Sequence, residues 1–409
     1  MSSLSPLRPP LAAAAVSLIG VALLSLSSCG KQIEPEPICA RARILPIYPV
    51  MITPTGRVLA PGAEGWAVSQ LEVDGTLTPI ATLVTEEAFR TFAWLEHDPL
   101  SGRMWLLDRG YGDTPAWLYQ FDAEGQLEWK VELSDYERPV QPGALHYHDG
   151  SIYVTLSMRG VWPRDPSDPN IIHDSLLIER RDLSGEVVWA RADYQPPNTS
   201  HELSSAVLVD VSGSALSMVA TPPLIDYGPS YPLTIDIETG EVLWSGSDGH
   251  DPLRMAVEDT RLYLARVRPT QYDPERLPEW VALAPASSSV SVHDSSTGAQ
   301  ANLSTTEWDR IVWRYPGDWG RQNMTFGWLG AQLVSLVVAD GEHGITVHDK
   351  DGALLCAGTL DLDFATIGRG VGIEGRSQFV VEVSVARGGA DDLENEHGLL
   401  LIEPLVDGP

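Results

Sequence analysis

Apolar and polar residues alternate in short runs along most of the chain, and each run ends at a turn. Such segments run into a glycine-containing turn as SQLEVDG (69–75), LYQFDAEG (118–125), IERRDLSG (178–185), LTIDIETG (233–240), VSVHDSSTG (290–298), ITVHDKDG (345–352) and LIEPLVDG (401–408). A period of two is the signature of a half-buried β-strand. No helix of ten or more residues is predicted after the N-terminal segment. The turn glycines are Gly75, Gly125, Gly185, Gly240, Gly298, Gly352 and Gly408, at intervals of 50 to 60 residues.

Most of these glycines follow an aspartate by a few residues, as in FDAEG, RDLSG and DIETG, and the best copies continue to a tryptophan: Trp129, Trp189 and Trp244. The aspartate can accept hydrogen bonds from its own backbone, and glycine supplies positive φ, so the chain reverses between two strands. The tryptophan then fills a wedge between neighbouring sheets. A second hairpin precedes most copies: Ala144–His148 with Ser151–Leu156, Ala206–Val211 with Ser214–Ala220, Arg254–Val257 with Arg261–Val267, and Phe326–Leu329 with Gln332–Val338. Four short strands per repeat predict an all-β fold, a single β-propeller of seven four-stranded blades over residues 38–409. The last turn, Asp407-Gly408, leaves no chain for an outer strand, so the N-terminal segment Ile38–Leu45 is expected to close the ring.

An aspartate before glycine, with tryptophan four positions after it, resembles the pyrroloquinoline-quinone-type propeller repeat. That repeat occurs in quinoprotein dehydrogenases and in the propeller lipoprotein of the outer-membrane barrel-assembly machinery. Residues 236–244 and 182–189 match it best. The resemblance implies a propeller over nearly the whole mature chain, and eight blades as the alternative count.

The first residues form a targeting segment. Arg8 precedes an apolar run from Leu11 to Leu26, shorter than the roughly 20 residues of a spanning helix, and Ser27-Ser28-Cys29 follows. Leu26–Cys29 resembles the bacterial lipobox. It implies a signal peptide at 1–28, lipidation of Cys29 and a tether at 29–37; an ordinary signal peptide or anchor is the alternative. Gly30 and Lys31, rather than aspartate, imply the outer membrane, with the periplasmic or surface side left open. Removal of Cys29 to lipid leaves Cys39 and Cys356, which an exported chain can join in a disulfide.

A formal net charge of −29 excludes nucleic-acid binding by phosphate neutralisation and disfavours anionic lipid surfaces. Strand order puts the short turns on one face and the long connections on the other, including Arg109–Pro115, Met158–Asp174, Thr221–Tyr231, Arg268–Ala286 and Arg387–His397. Long loops on a rigid frame are where binding concentrates. Residues entering the inner strands from that face, Arg90, His201, Glu202, His250, Asp251, Arg321, Gln322 and Arg369, are candidates for a ligand at the channel mouth. Tyr315 and Trp319 are candidate partner contacts in the tryptophan-rich stretch 308–328. Asp165, Asp168 and Asp174 carry oxygen ligands suited to calcium but lack the spacing of an EF-hand. No vicinal cysteines, nucleophile elbow or haem motif is present, so quinone is not expected as a cofactor.

The expected function is therefore a lipid-anchored, monomeric, non-catalytic scaffold that binds an envelope protein or glycan through the long-loop face. The alternatives are a propeller enzyme, of quinoprotein-dehydrogenase or hydrolase/lyase type, and a sensor of a small ligand or metal.

Overall fold

The computed structural model describes residues 39–45, 51–85, 93–108, 116–133, 140–165, 168–192, 194, 203, 205–221, 231–246, 253–258, 260–268, 287–299, 323–339, 342–349, 353–362, 366–387 and 394–405. The signal peptide and tether expected at 1–37, with Cys29, lie outside them.

The chain begins with β1 (Ala40–Leu45) and then builds sheets in sequence order. The first holds β2 (Met51–Ile52), β3 (Arg57–Gly62), β4 (Gly65–Leu71) and β5 (Leu77–Leu83). The second holds β6 (Ala93–His97), β7 (Met104–Asp108), β8 (Trp117–Phe121) and β9 (Leu127–Glu132). The third holds β10 (Val140–His148), β11 (Ser151–Asp165), β12 (Asp168–Arg181) and β13 (Val187–Arg191). The fourth holds β14 (Ser205–Ser212), β15 (Ala215–Thr221), β16 (Tyr231–Asp236) and β17 (Val242–Ser245), and the next β18 (Leu253–Glu258), β19 (Arg261–Arg268) and β20 (Ser287–Asp294). Then come β21 (Asn323–Leu329), β22 (Gln332–Ala339), β23 (Glu342–Asp349) and β24 (Leu354–Thr359). The last sheet has the order β1-β27-β26-β25, with β25 (Thr366–Gly372), β26 (Phe379–Arg387) and β27 (Glu394–Pro404).

This is a single all-β propeller, and the blade count is corrected. The sequence predicts seven four-stranded blades, or eight. Six four-stranded sheets are found; the sheet of β18–β20 has three strands among the described residues, and no eighth sheet appears among them. The Asp294–Gly298 turn does form, with Gly298 N–H donating to the Asp294 carbonyl at 2.8 Å. Residues 300–322, which follow it, lie outside the described residues.

Ring closure by the N-terminal strand is corrected as well. β1 lies antiparallel on β27, from Ala40↔Pro404 to Leu45↔Leu399, which adds an outer strand to the last sheet. The seam between the last sheet and the first is made mostly by other strands, with Leu45 and Arg43 of β1 reaching it. Ile52, Val58 and Leu71 pack with Val371, Ile373, Val380, Leu399 and Leu401, and Glu374 N–H donates to the Pro54 carbonyl at 2.9 Å. Cys39, just before β1, forms a disulfide with Cys356 in β24, with Cα atoms 5.7 Å apart.

The core lies between sheets. One cluster joins Leu59, Trp66 and Leu83 to Leu95, Leu106 and Phe121. Another joins Tyr153, Leu176 and Ile178 to Leu216, Met218 and Ile235. Alternation puts one set of side chains on each face of a strand, so each sheet buries both faces against its neighbours.

The turns follow the chemistry read from sequence. Asp182 Oδ1 accepts from the Ser184 and Glu186 amides at 2.8 and 3.1 Å, and Asp236 Oδ1 from those of Glu238 and Thr239 at 3.0 and 2.9 Å. Hydrogen bonding, from Ser184 first, holds the Asp182 carboxyl below the usual range. Gly185 and Gly240 take φ of 85° and 70°.

Candidate functional site

In the third sheet Ile152, just after the Asp149-Gly150 turn, pairs with Arg181, just before the Asp182–Glu186 turn. Both hairpin turns therefore leave the sheet at one end. The connection between β11 and β12 leaves at the other. Sequence analysis takes Met158–Asp174 as a loop; the structure corrects this to a β-ribbon. β10 stops pairing at Val140↔Met158, yet β11 and β12 continue through Trp162↔His173 and Pro163↔Ile172 to Asp165↔Asp168. Val161, Trp162, Ile171 and Ile172 are residues that favour a pleated, paired backbone, which outweighs the turn signal of the three prolines nearby. From Met158 to its tip the ribbon reaches about 20 Å at the rise of a strand. The connection at Arg387–His397 is likewise shorter than expected, because β26 and β27 pair out to Arg387↔Glu394.

The ribbon sets the positions of the candidate calcium ligands. Asp165 and Asp168 stand opposite each other at the tip. Asp174 is six residues further along β12, about 20 Å away, so the backbone brings two of the three together. Arg90, His201, Glu202, His250, Asp251, Tyr315, Trp319, Arg321 and Gln322 lie outside the described residues; Arg369 is on β25.

A polar constellation that sequence analysis missed sits at the turn end of the inner strands. Glu96 on β6, His146 on β10 and Asp210 on β14 come from three consecutive sheets whose first strands touch. His146 Nδ1 stands 3.7 Å from Glu96 Oε1, and its Nε2 stands 3.7 Å from Asp210 Oδ1. Glu96 and His146 are mostly buried, with side chains 13% and 15% exposed, while Asp210 is 51% exposed. His148, two residues along the same strand, has its ring centroid 6.5 Å from that of His146 with the planes 14° apart. Burial, and then the neighbouring His146, lowers the pKa of His148; Asp210 and Asp149 oppose the shift.

Each 3.7 Å separation is long for a direct hydrogen bond but within ion-pair reach of a protonated imidazole. Each ring nitrogen of His146 faces a carboxylate from a neighbouring blade, so one imidazole bridges three blades. Among the described residues no group of three histidine, cysteine or acidic side chains is placed to hold a metal ion. The legible signal was His146-Tyr147-His148-Asp149, two histidines on one strand face directly before a turn. The acids come from other blades, 50 and 64 residues away in sequence, and no local pattern marks them.

Tyr147 points the other way from that pair. Its ring stacks on Trp105 with centroids 4.4 Å apart, and burial first, then Asp98, raises its pKa. His97 is buried beside this layer, and burial followed by the Arg57 charge lowers its pKa to about 4.

No protein-family model matches the sequence, and no curated protein matches it. Solved structures do. A chain from a study of two prolyl endopeptidases is 12% identical, covering 90% of this chain and 51% of its own, with a TM-score of 0.47. The present chain thus spans about half the length of that one. Kuenenia stuttgartiensis hydrazine synthase is 13% identical, covering 87% of this chain and 95% of its own, with a TM-score of 0.49. A subtype N11 neuraminidase-like protein of A/flat-faced bat/Peru/033/2010 is 11% identical, covering 86% and 84%, at 0.38. At this identity nothing of their activities transfers; the propeller is read from the sheets themselves. Of the resemblance to quinone-type repeats, the propeller fold is what stands.

Proposed function

We propose that this protein is a lipid-anchored β-propeller of the cell envelope that acts as a non-catalytic scaffold, binding a protein or glycan partner through the face opposite its short turns. The observation that carries this reading is the β11–β12 ribbon, which continues well past the end of β10 on that face. A two-stranded arm on a rigid frame presents backbone and side chains to a partner at little ordering cost. The anchor rests on Leu26–Cys29 after the apolar run. The test replaces residues 160–173 with a two-residue turn and repeats a crosslinked pull-down from membranes. Loss of a partner captured by the intact chain, with an unchanged melting transition, supports the reading. Capture that ignores the deletion, or no partner for the intact chain, sinks it.

A second reading, a sensor of a small ligand, is favoured by the Glu96–His146–Asp210 constellation. Thermal-shift screening with calcium, zinc and sugars tests it, because a ligand that binds only the folded state raises the transition. A rise that His146→Gln abolishes supports it; no rise with any of them removes it.

A further inference from the structure

Among the described residues three blade junctions are built alike, and the junction between the last sheet and the first differs from them in a way that leaves apolar surface bare. At three junctions the outer-strand tryptophan of one sheet lies under the turn glycine of the next. A Cβ on Gly185 would meet the Trp129 ring at 3.1 Å, one on Gly240 would meet Trp189 at 2.8 Å, and Gly298 is closed off by Trp244. In the first two, the indole N–H donates to the carbonyl of the residue after the turn's aspartate, Leu183 at 3.0 Å and Ile237 at 3.1 Å. Those aliphatic residues are partly buried in the inter-sheet clusters that also hold the two tryptophans.

Between the last sheet and the first, the outer strand is β1, and Arg43 takes the tryptophan's place. A Cβ on Gly75 would meet the Arg43 guanidinium at 2.5 Å, and Arg43 Nη2 donates to the Asp74 carbonyl. Here the aliphatic residue after the turn acid, Val73, is left 63% exposed. Its carbonyl is already taken by Gln378 Nε2 at 2.6 Å. A groove of about 340 Å³ opens beside it, lined by Arg41, Arg43, Val73, Asp74, Leu401 and Glu403. At the junction of the first and second sheets Ala81 closes on Gly125, and the turn residue there is only Ala123, so no large aliphatic is left bare.

We infer that this groove is a docking site for an aromatic side chain carried on an extended segment of a partner polypeptide. The ring covers Val73 and stacks on the Arg43 guanidinium, a face-on cation–π contact. Charge selects a neutral ring over an anion, because Asp74 and Glu403 line the same groove as the two arginines. β1 is the outermost strand of its sheet, so an extended segment can run alongside it. The site is on the rim and is independent of the ribbon face.

The test is a methyl and arginine-side-chain NMR titration of the full chain with the peptide acetyl-Ser-Gly-Trp-Gly-Ser-amide, with cyclohexylalanine replacing tryptophan in a control peptide. The expected result is a saturable ring-current shift at the Val73 methyls and the Arg43 Nε–H with the first peptide alone. Arg43→Gln weakens it by about two- to fivefold, the range for an exposed cation–π contact. Arg43→Trp rebuilds the wedge of the other junctions, so it shifts the Val73 methyls in the free protein and abolishes peptide binding. If Arg43→Trp fails to fold, Val73→Ser, which leaves Arg43 in place, is read at the Arg43 Nε–H: weakened peptide binding supports the proposal and unchanged binding overturns it. No shift, or an equal shift with the control peptide, overturns the proposal. So does a response of Arg41 and Arg43 to inorganic phosphate in place of the peptide, which would assign them to an anion. Concentration-dependent shifts at Val73 without peptide, which would assign the groove to a second copy of the chain, overturn it too.

Discussion

The indole N–H of Trp189 donates to the backbone carbonyl of Ile237, one blade away, at 3.1 Å. The same ring packs beneath Gly240 in that turn. Two sheets are thus held by one side chain through an apolar face and one hydrogen bond, and the glycine is required twice, for its φ of 70° and for the space its missing Cβ leaves.

Gly240→Ala is expected to lower stability by about 2 kcal/mol, combining the left-handed backbone with a displaced ring. Gly150→Ala is the control. Gly150 has a similar φ of 75° with nothing within 4 Å of a Cβ, so it should cost only about 1 kcal/mol. Urea unfolding of both variants measures the difference, which reports the wedge contact; equal losses would show that the ring yields freely.

Removal of Arg181 is expected to be costly. Its guanidinium is 2.7 Å from the fully buried Glu179 carboxylate, and it also donates to the Gly185 carbonyl at 2.8 Å. Burial pushes the Glu179 carboxyl up and Arg181 opposes that. Arg181→Met should cost about 3–5 kcal/mol, because it leaves an uncompensated buried acid. The double change Glu179→Leu with Arg181→Met should recover most of that loss, as read by denaturant midpoints.

Acid should weaken the fold through two buried histidines. Burial holds His97 and His348 down to about 4, against about 6.5 for an unfolded chain. The unfolded state therefore takes up protons first. Stability from the neutral rings is complete above about pH 6.5 and is lost as pH falls from there towards 4. The ceiling is on the order of 3 kcal/mol per ring. Melting temperatures from pH 7 to pH 5 should fall, and His97→Leu should flatten the slope; an unchanged slope would show that His97 charges freely in the fold.

Reduction of Cys39–Cys356 should lower the melting temperature without changing the sheet content. The two residues are 317 apart in sequence, so the bond constrains a very long loop in the unfolded chain, worth up to about 5 kcal/mol on the chain-entropy model. Calorimetry with and without reductant measures this, and Cys356→Ser should reproduce the reduced form.

The turn motif was legible because it is local. Asp182, Gly185 and Trp189 lie within one hairpin, and each residue type has a single physical reason to be there. The strand alternation was legible for the same reason. The extent of pairing was not. Prolines at 163, 166 and 169 read as loop, while the β-branched and aromatic residues beside them decide the register of β11 on β12 only once both strands are in place.

The candidate site was the least legible part. His146 is visible as half of a histidine pair, but Glu96 and Asp210 gain meaning only when inner strands of three sheets stand side by side. Arg43 looks like an ordinary exposed residue until Gly75 is seen above it, where other blades place an indole.

Taken alone, the sequence determined an all-β repeat protein with aspartate–glycine turns and tryptophan wedges, because those features follow from bonding and packing within one repeat. The tertiary structure alone decided how many sheets are complete, where the ribbon projects, which acids meet His146 and which junction sets Arg43 where others set a tryptophan. Each of those depends on contacts between residues of different blades, and the spacing of residues along a chain carries no information about which distant surfaces the packing will bring together.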